Sequence, residues 1–361
     1  MKFSIIKTWF EKYERLFAPV VFIAGFLWDS LMLTRIDLWY DHAALISYLL
    51  IAGTGILLIN AYQSGRARFR FLEEYAALLT LPIQFAFGAL FSGFFIFYSR
   101  SASLASSWPF LAFLTFFLVG NEFFRRRYTI FIFQLSIFFI ALFSYTTFAL
   151  PIFFGKMGSS IFFTSGLISV AAILIFILFL SRITRDGISK HRKPLFYSIG
   201  SIYAAFNIFY FSNIIPPIPL SLKEIGVYHS VVKTGDGYIL LAEPAPKYIL
   251  FQNYSGIFHR TEGEATYVYS AIFAPTKLSA KIFHRWQYFD DKSREWTETD
   301  YIQYAIVGGR DGGYRGFTLK QNIVPGLWRV DVVTDRGQLL GRIKFRVIPA
   351  ETPPDLKAIE R

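Results

Sequence analysis

Phe196–Leu220 reads FYSIGSIYAAFNIFYFSNIIPPIPL and contains no charged residue. About 20 apolar residues at ~1.5 Å rise each cover the ~30 Å hydrocarbon core of a bilayer, so this stretch is long enough to cross one. It ends on Pro216, Pro217 and Pro219, which cannot continue a helix. Before it the chain has the composition of a membrane protein. After it the pattern is that of a water-soluble β domain.

Composition supports that division. Of 361 residues, 54% are hydrophobic and 17% charged, with a mean hydropathy of +0.40. Soluble domains carry about 25% charged residues, so a membrane protein is the better class. The net charge of +12 is unevenly placed: 18 Lys and Arg face 9 Asp and Glu up to Leu220, and 19 face 16 after it. The excess lies between hydrophobic runs, where it sets orientation, and this argues against a nucleic-acid partner. Absence of cysteine excludes disulfide and thiolate chemistry.

Working back from Phe196, apolar run length predicts seven spans, at roughly 16–34, 43–60, 78–98, 104–121, 128–150, 159–181 and 196–215. The leading MKFSIIKTWFEKYERLF is a charged amphipathic segment without the cleavage pattern of a signal peptide. Arg66–Ala77 reads as an interfacial helix. Alternate connections are strongly basic: Lys2, Lys7, Lys12 and Arg15; Arg66, Arg68 and Arg70; Arg125–Arg127; and Arg182, Arg185, Lys190, Arg192 and Lys193. Those fifteen cations lie on one side, against Arg35, Arg100 and Lys156 on the other. The positive-inside rule puts the N-terminus in the cytoplasm and, after seven crossings, the C-terminal domain in the periplasm of a bacterial inner membrane.

Polar residues inside spans are candidates for function, because lipid penalises them. Asp29 is the acid deepest in an apolar run. Asn60, Gln84, Gln134 and Asn207 read as interhelical hydrogen-bonding residues, and Glu122 as a salt-bridge partner of the adjacent arginines. In the first outer connection, TRIDLWYDH, the residues Asp37, Asp41 and His42 are weak candidates for acid–base work or for a divalent cation. The simpler reading is an interfacial aromatic belt with solvated charges. His191, in SKHRKP, reads as part of the cytoplasmic basic run or an anionic-lipid contact.

Beyond Leu220 the period becomes that of strands: Thr266–Phe273, Leu278–Phe289, Tyr301–Val307, Tyr314–Lys320, Leu327–Thr334 and Leu339–Ile348. Asp236-Gly237, Asp311-Gly312 and Arg336-Gly337 are turn dipeptides. The expectation is an antiparallel, immunoglobulin-like β-sandwich of seven to nine strands. The domains are then 1–220 (spanning), 221–350 (sandwich) and 351–361 (tail). Alternation places Ile343, Phe345 and Val347 inward with Trp328, Val330 and Val332, leaving Arg329, Asp331, Arg342, Lys344 and Arg346 on an outer, basic face. That face is the candidate binding surface; the simpler alternative is an ordinary solvated sheet face. His284 shares a face with Ile282, Trp286 and Tyr288 and reads as a core histidine. His229 and His259 show no paired acid at a recognisable spacing. The loop GGRDGGYRG at Gly308–Gly316 reads as a hairpin turn, since a phosphate cradle needs a strand-to-helix context.

The succession KIFHRWQYFD, GGYRGFTLK and GLWRVDVVTDRGQLLGRIKFRV resembles a bacterial family known as domain of unknown function 2914, over about Lys277–Val347. His284, Trp286, Gly326, Trp328 and Gly337 match its pattern. The resemblance implies a bacterial envelope protein with this domain following membrane-spanning sequence. It supplies no reaction or ligand, so no functional residue carries over.

Metalloprotease, nucleophile-elbow, P-loop and dinucleotide motifs are lacking. The leading expectation is a non-enzymatic membrane anchor presenting a β-sandwich to an envelope protein or glycan, with the lipid bilayer as its other partner and no cofactor. The alternatives are a transporter or sensor acting through Asp29 and the bundle, and an envelope enzyme using Asp37, Asp41 and His42. The orientation is testable directly: a C-terminal alkaline phosphatase fusion is expected to be active and a C-terminal GFP fusion dark. The opposite pair of results reverses the topology.

Overall fold

The computed structural model describes residues 25–33, 35–65, 80–101, 103–121, 123–124, 127–235, 237–244, 256–275, 278–307 and 313–361. Its N-terminal region is helical: α1 (25–32), α2 (Trp39–Gln63), α3 (Thr80–Ser101), α4 (Leu104–Gly120), a 3₁₀ turn at Arg127–Thr129, α5 (Phe131–Phe154), α6 (Ser159–Ile183) and α7 (Arg185–Phe211). Among the described residues, four helices are long and apolar enough to cross a membrane: α2, α3, α5 and α6. They carry the spans expected at 43–60, 78–98, 128–150 and 159–181. The span expected at 104–121 falls on the shorter apolar α4. That expected at 196–215 falls on α7, which begins eleven residues earlier in the basic run. Most of the first span, the interfacial helix at 66–77, Glu122, Asp236 and Asp311-Gly312 lie outside the described residues.

The chain divides into two compact units, and the division does not follow the composition change at Leu220. The first takes residues 1–97, 112–145 and 168–202; the second takes 98–111, 146–167 and everything from Tyr203. In the first unit, a chain of buried amides ties helices together. Asn60 Nδ2 donates to Gln134 Oε1 at 2.7 Å, Gln134 Nε2 donates to the Tyr128 carbonyl at 2.6 Å, the Tyr128 hydroxyl donates to Asn121 Oδ1, and Asn121 Nδ2 donates to the Gln84 carbonyl at 2.9 Å. In the absence of water such amides must find partners on neighbouring helices. Asn207, in the second unit, bonds instead within its own helix, to the Tyr203 carbonyl at 2.8 Å.

Among the described residues the β region has eleven strands: β1 (Ser221–Tyr228), β2 (Ser230–Thr234), β3 (Gly237–Ala242), β4 (Ile257–Arg260), β5 (Thr266–Phe273), β6 (Ser279–Asp290), β7 (Glu295–Val307), β8 (Tyr314–Lys320), β9 (Gly326–Thr334), β10 (Leu339–Pro349) and β11 (Lys357–Glu360). They form three sheets, ordered β1-β5-β8, β4-β10-β9-β6-β7 and β11-β3-β2. All pairings are antiparallel except β4 with β10. One core joins the first two sheets, with Val227 and Val268 meeting Trp286, Trp328, Val330, Ile343, Phe345 and Val347. A second joins the first and third sheets, with Tyr228, Tyr269 and Ala271 meeting Val231, Leu240 and Ala242. The β1-β5-β8 sheet is therefore covered on both faces. The residues expected to be a tail end in β11, which pairs with β3, and Arg361 bonds the Glu224 carboxylate at 2.8 Å.

Two glycines are set by this packing. Gly337 turns β9 into β10 with φ +75°, its N–H donating to the Thr334 carbonyl at 2.9 Å. Gly326 opens β9 at φ +136°, and a Cβ there would stand 2.8 Å from the Tyr288 ring. Gly326→Ala combines backbone strain with a clash and is expected to destabilise the β region by about 1–3 kcal/mol. The check is the urea midpoint of the full chain in detergent, followed by tryptophan fluorescence. An unchanged midpoint excludes the strained geometry.

Candidate functional site

The outer face of the five-stranded sheet is built by strand alternation. Along β9 and β10, Trp328, Val330, Val332, Ile343, Phe345 and Val347 are buried inward, which sends Arg329, Asp331, Arg342, Lys344 and Arg346 to the opposite face. On these two strands four cations thus share that face with one carboxylate, and Arg285 on β6 and Glu298 on β7 join them. Register then sets the contacts: Asp331 sits opposite Arg285 on β6 and Arg342 on β10, while Arg329 sits opposite Gln287 and Lys344.

Asp331 corrects the expectation of a solvated acid. Its side chain is 0% exposed. Arg285 Nη2 donates to its Oδ2 at 2.7 Å and Arg342 Nη2 at 2.8 Å, with Arg342 Nε on Oδ1. Burial alone would raise the Asp331 carboxyl, but hydrogen bonds from Arg342 and Arg285 outweigh it and hold the group below the usual carboxylate range. Two long arginine stems lying over the strand hide the acid, which no periodicity shows.

Beside this clamp, Arg329 Nε donates to Gln287 Oε1 at 2.5 Å, and its guanidinium lies 4.3 Å from the Trp296 ring centre. Lys344 Nζ lies 5.8 Å from the same ring, and Phe289 packs against it at 5.2 Å. Lys344 and Arg346 are exposed. The result is a basic surface with an indole lying against two of its cations. Trp296 was not foreseen because β7 begins at Glu295, six residues ahead of the strand expected at Tyr301–Val307.

The histidines separate into different environments. His284 is fully buried between sheets, its Nε2 2.9 Å from Ser270 Oγ and its Nδ1 2.9 Å from Thr318 Oγ1, which also accepts from Trp286 Nε1 at 3.1 Å. Burial pushes its ring down to about 3. It is a neutral core group at physiological pH.

His229 and His259 have acidic partners, at separations that no sequence spacing marks. His229 Nδ1 lies 2.6 Å from Glu264 Oε1 and its Nε2 3.1 Å from Glu243 Oε1; His259 Nδ1 lies 2.8 Å from Glu243 Oε2. The four residues come from the β1–β2 junction, the residue after β3, β4 and the β4–β5 turn, so no sequence spacing could have paired them.

The remaining candidates lie in the helical unit. Asp37 is held by Arg35, whose Nη2 donates to Oδ2 at 2.8 Å. Asp41 is buried in the first turn of α2, and His42 Nδ1 lies 3.3 Å from the Tyr145 hydroxyl. Asp29 is half-buried on α1. Among the described residues, no group of three or more His, Asp or Glu is arranged to hold a metal ion.

Of the residues matching the family pattern, Trp286 and Trp328 are fully buried, and Trp328 Nε1 donates to the Val324 carbonyl at 2.8 Å. With His284 in the core and Gly326 and Gly337 at positive φ, where a side chain would be strained, all five have structural roles.

Residues 279–347 match the model of the family described as Protein of unknown function (DUF2914). No curated protein matches the chain. Among solved structures the chain is similar to the Pseudomonas fluorescens alkylpurine DNA glycosylase AlkC bound to DNA containing an abasic site analog. That likeness has 9% identity over 87% of this chain and 100% of the other, with a TM-score of 0.22, and carries no argument about fold or function.

The Asp331 clamp yields a stability prediction. Its depressed carboxyl stabilises the fold above the unfolded value of 3.8 and loses that contribution as pH falls through the lower folded value. Asp331→Asn leaves two like charges facing a neutral amide. Both arginines reach water, so the expected loss is about 1–3 kcal/mol at pH 7, shrinking toward pH 3. Thermal melts of the full chain across pH check it, and a loss that stays constant with pH counts against the ionised clamp.

Proposed function

We propose that this chain is a bacterial inner-membrane protein whose apolar helices anchor a periplasmic β domain that binds an anionic envelope glycan. The observation that carries the reading is the Trp296 ring flanked by Arg329 and Lys344 on a face where β9 and β10 offer four cations and one already neutralised acid. Aromatic rings contact the apolar faces of sugars, while fixed cations attract their carboxylate, sulfate or phosphate groups. Asp331 is occupied by Arg285 and Arg342, so it does not repel an incoming anion.

The proposal retains seven crossings with the N-terminus in the cytoplasm and reads the β region as an immunoglobulin-like sandwich. Four helices of membrane-crossing length support the first, together with the asymmetry of the basic connections. Two sheets sharing one core around Trp286 and Trp328 support the second. A role without catalysis follows from the site's chemistry: it presents cations and an indole, and offers no nucleophile paired with a base.

The test uses the full chain in nanodiscs, with heparin as the anionic glycan and dextran as the neutral control. Arg329→Ala with Lys344→Ala is expected to weaken heparin binding at least tenfold and flatten its salt dependence. Lys233→Ala with Lys357→Ala, two exposed cations of the third sheet, should leave it unchanged. Equal binding of dextran, or equal loss in both double variants, overturns the proposal. Retention of an acidic protein without heparin moves the assignment to a protein partner.

A further inference from the structure

The contacts of His229 cannot all be favourable in a neutral site. A neutral imidazole has one N–H and one lone pair. Here Nδ1 lies 2.6 Å from Glu264 Oε1 and Nε2 lies 3.1 Å from Glu243 Oε1, so both ring nitrogens face carboxylate oxygens. One extra proton is required, on the ring or on a carboxylate.

The other donors locate it. Glu243 already accepts the His259 backbone N–H at 2.6 Å and His259 Nδ1 at 2.8 Å. Glu264 accepts the Thr261 backbone N–H at 2.9 Å and Thr261 Oγ1 at 2.8 Å. Each of these bonds favours an ionised carboxylate. The proton therefore sits on His229, as an imidazolium between two carboxylates. The groups facing the ring from neighbouring elements are Glu243 after β3, Glu264 in the β4–β5 turn and, on β4, the apolar Phe258 stacked at 4.2 Å. His259 acts through Glu243. Arg260 turns its guanidinium to the Glu264 and Gln321 carbonyls.

These residues tie down a weak element. β4 has four residues and pairs only with β10, in parallel, at the edge of its sheet. The Arg346 amide donates to the Gly256 carbonyl and the Ala350 amide to the Arg260 carbonyl, both at 2.9 Å. So short an edge strand contributes little stability of its own.

We propose that His229, Glu243, Glu264 and His259 form a proton-operated latch that holds β4 over the edge of β10. When His229 loses its proton, one of its two contacts sets lone pair against lone pair, and the tie through Glu243 or Glu264 breaks. β4 then loosens and uncovers the edge of the strand that carries Lys344 and Arg346. The latch stands on its own geometry and does not depend on a glycan occupying the basic face.

The direction with pH follows. Burial pushes the His229 ring down, but hydrogen bonds and charge from Glu243 and Glu264 more than reverse this, and its value is raised above 6.5. Its contribution is complete below 6.5 and is lost as pH rises through the raised value. Glu243 and Glu264 are both lowered from 4.5, burial again being outweighed, here by bonds from His229, His259 and Thr261. Their contribution is present above 4.5 and is lost as pH falls through the lowered values. The latch is closed in mildly acidic to neutral medium and opens on the alkaline side.

Hydrogen exchange of the full chain in detergent tests this by mass spectrometry. Exchange of the His229 Cε1–H should titrate with a midpoint above 6.5; a midpoint at or below 6.5 overturns the proposal without any variant. Amide protection in peptides covering Arg346–Ala350, corrected for intrinsic rates and referred to β6, should fall at least tenfold between pH 6 and pH 9. In His229→Gln it should be low and independent of pH. Protection that is the same at both pH values in the native chain also overturns it.

Discussion

The β region depends on burying β5 on both faces. Val268 and Ile272 turn toward the five-stranded sheet, and Tyr269 and Ala271 toward the third sheet. An edge or half-exposed strand needs one apolar face, whereas TYVYSAIF is apolar or aromatic almost throughout. Once β5 is fixed between layers, β1 and β8 flank it by antiparallel register, and the two outer sheets have cores to close. The polar atom this forces inward, Ser270 Oγ, reaches His284 and Tyr304 across the sheets. A buried hydroxyl without partners would cost about 1–3 kcal/mol, so His284 serves the core by satisfying Ser270 and Thr318.

Three buried titratable centres in one β region reach three different charge states. His284 meets only hydroxyls and stays neutral, because nothing offsets the desolvation of an imidazolium. Asp331 is equally hidden but meets two guanidinium groups and stays ionised. His229 meets two carboxylates and is held protonated. Burial acts against charge in all three, so the partners decide the outcome. Only the third can change state near neutral pH, so a response to pH belongs there. His284, with its more active-site-like surroundings beside Trp286, is not the place for it.

What the sequence revealed and what it concealed divide along the range of the interactions. The six principal strands of the β region were visible because side-chain alternation is local, and so was the inward set Trp328, Val330, Val332, Ile343, Phe345 and Val347. The apolar runs at α2, α3, α5 and α6 were visible for the same reason. β1, β2, β3, β4 and β11 were not; the last four are only four to six residues long, and β1, β4 and β11 take partners far along the chain. The His229 cluster joins residues 14 and 35 positions apart, and the burial of Asp331 depends on arginines 46 and 11 positions away. Alternation gives a residue its face, but neither its partners nor its exposure.

The prolines after the last helix lie inside the second compact unit, which includes the ends of helices together with the β strands. The reason lies in helix ends, whose last carbonyls have no partner within the helix. The Arg100 carbonyl in the last turn of α3 accepts Ser221 Oγ at 2.5 Å. The Tyr210 carbonyl near the end of α7 accepts Arg336 Nη2 at 3.4 Å, and beyond it the Ile215 carbonyl accepts Gln338 Nε2 at 3.3 Å. Arg336 also stacks 3.8 Å from the Tyr210 ring centre, and that ring stacks in turn on Phe162 at 3.7 Å, so a cation sits at a helix C-terminus where the dipole favours it. Asn213 Nδ2 returns a bond to the Arg336 carbonyl at 3.3 Å. The β9–β10 turn, set by Gly337, therefore caps the helix that delivers the chain to the β region. A flexible tether would leave the Arg100 and Ile215 carbonyls to water; a cap makes the orientation of the basic sheet a property of the helix ends.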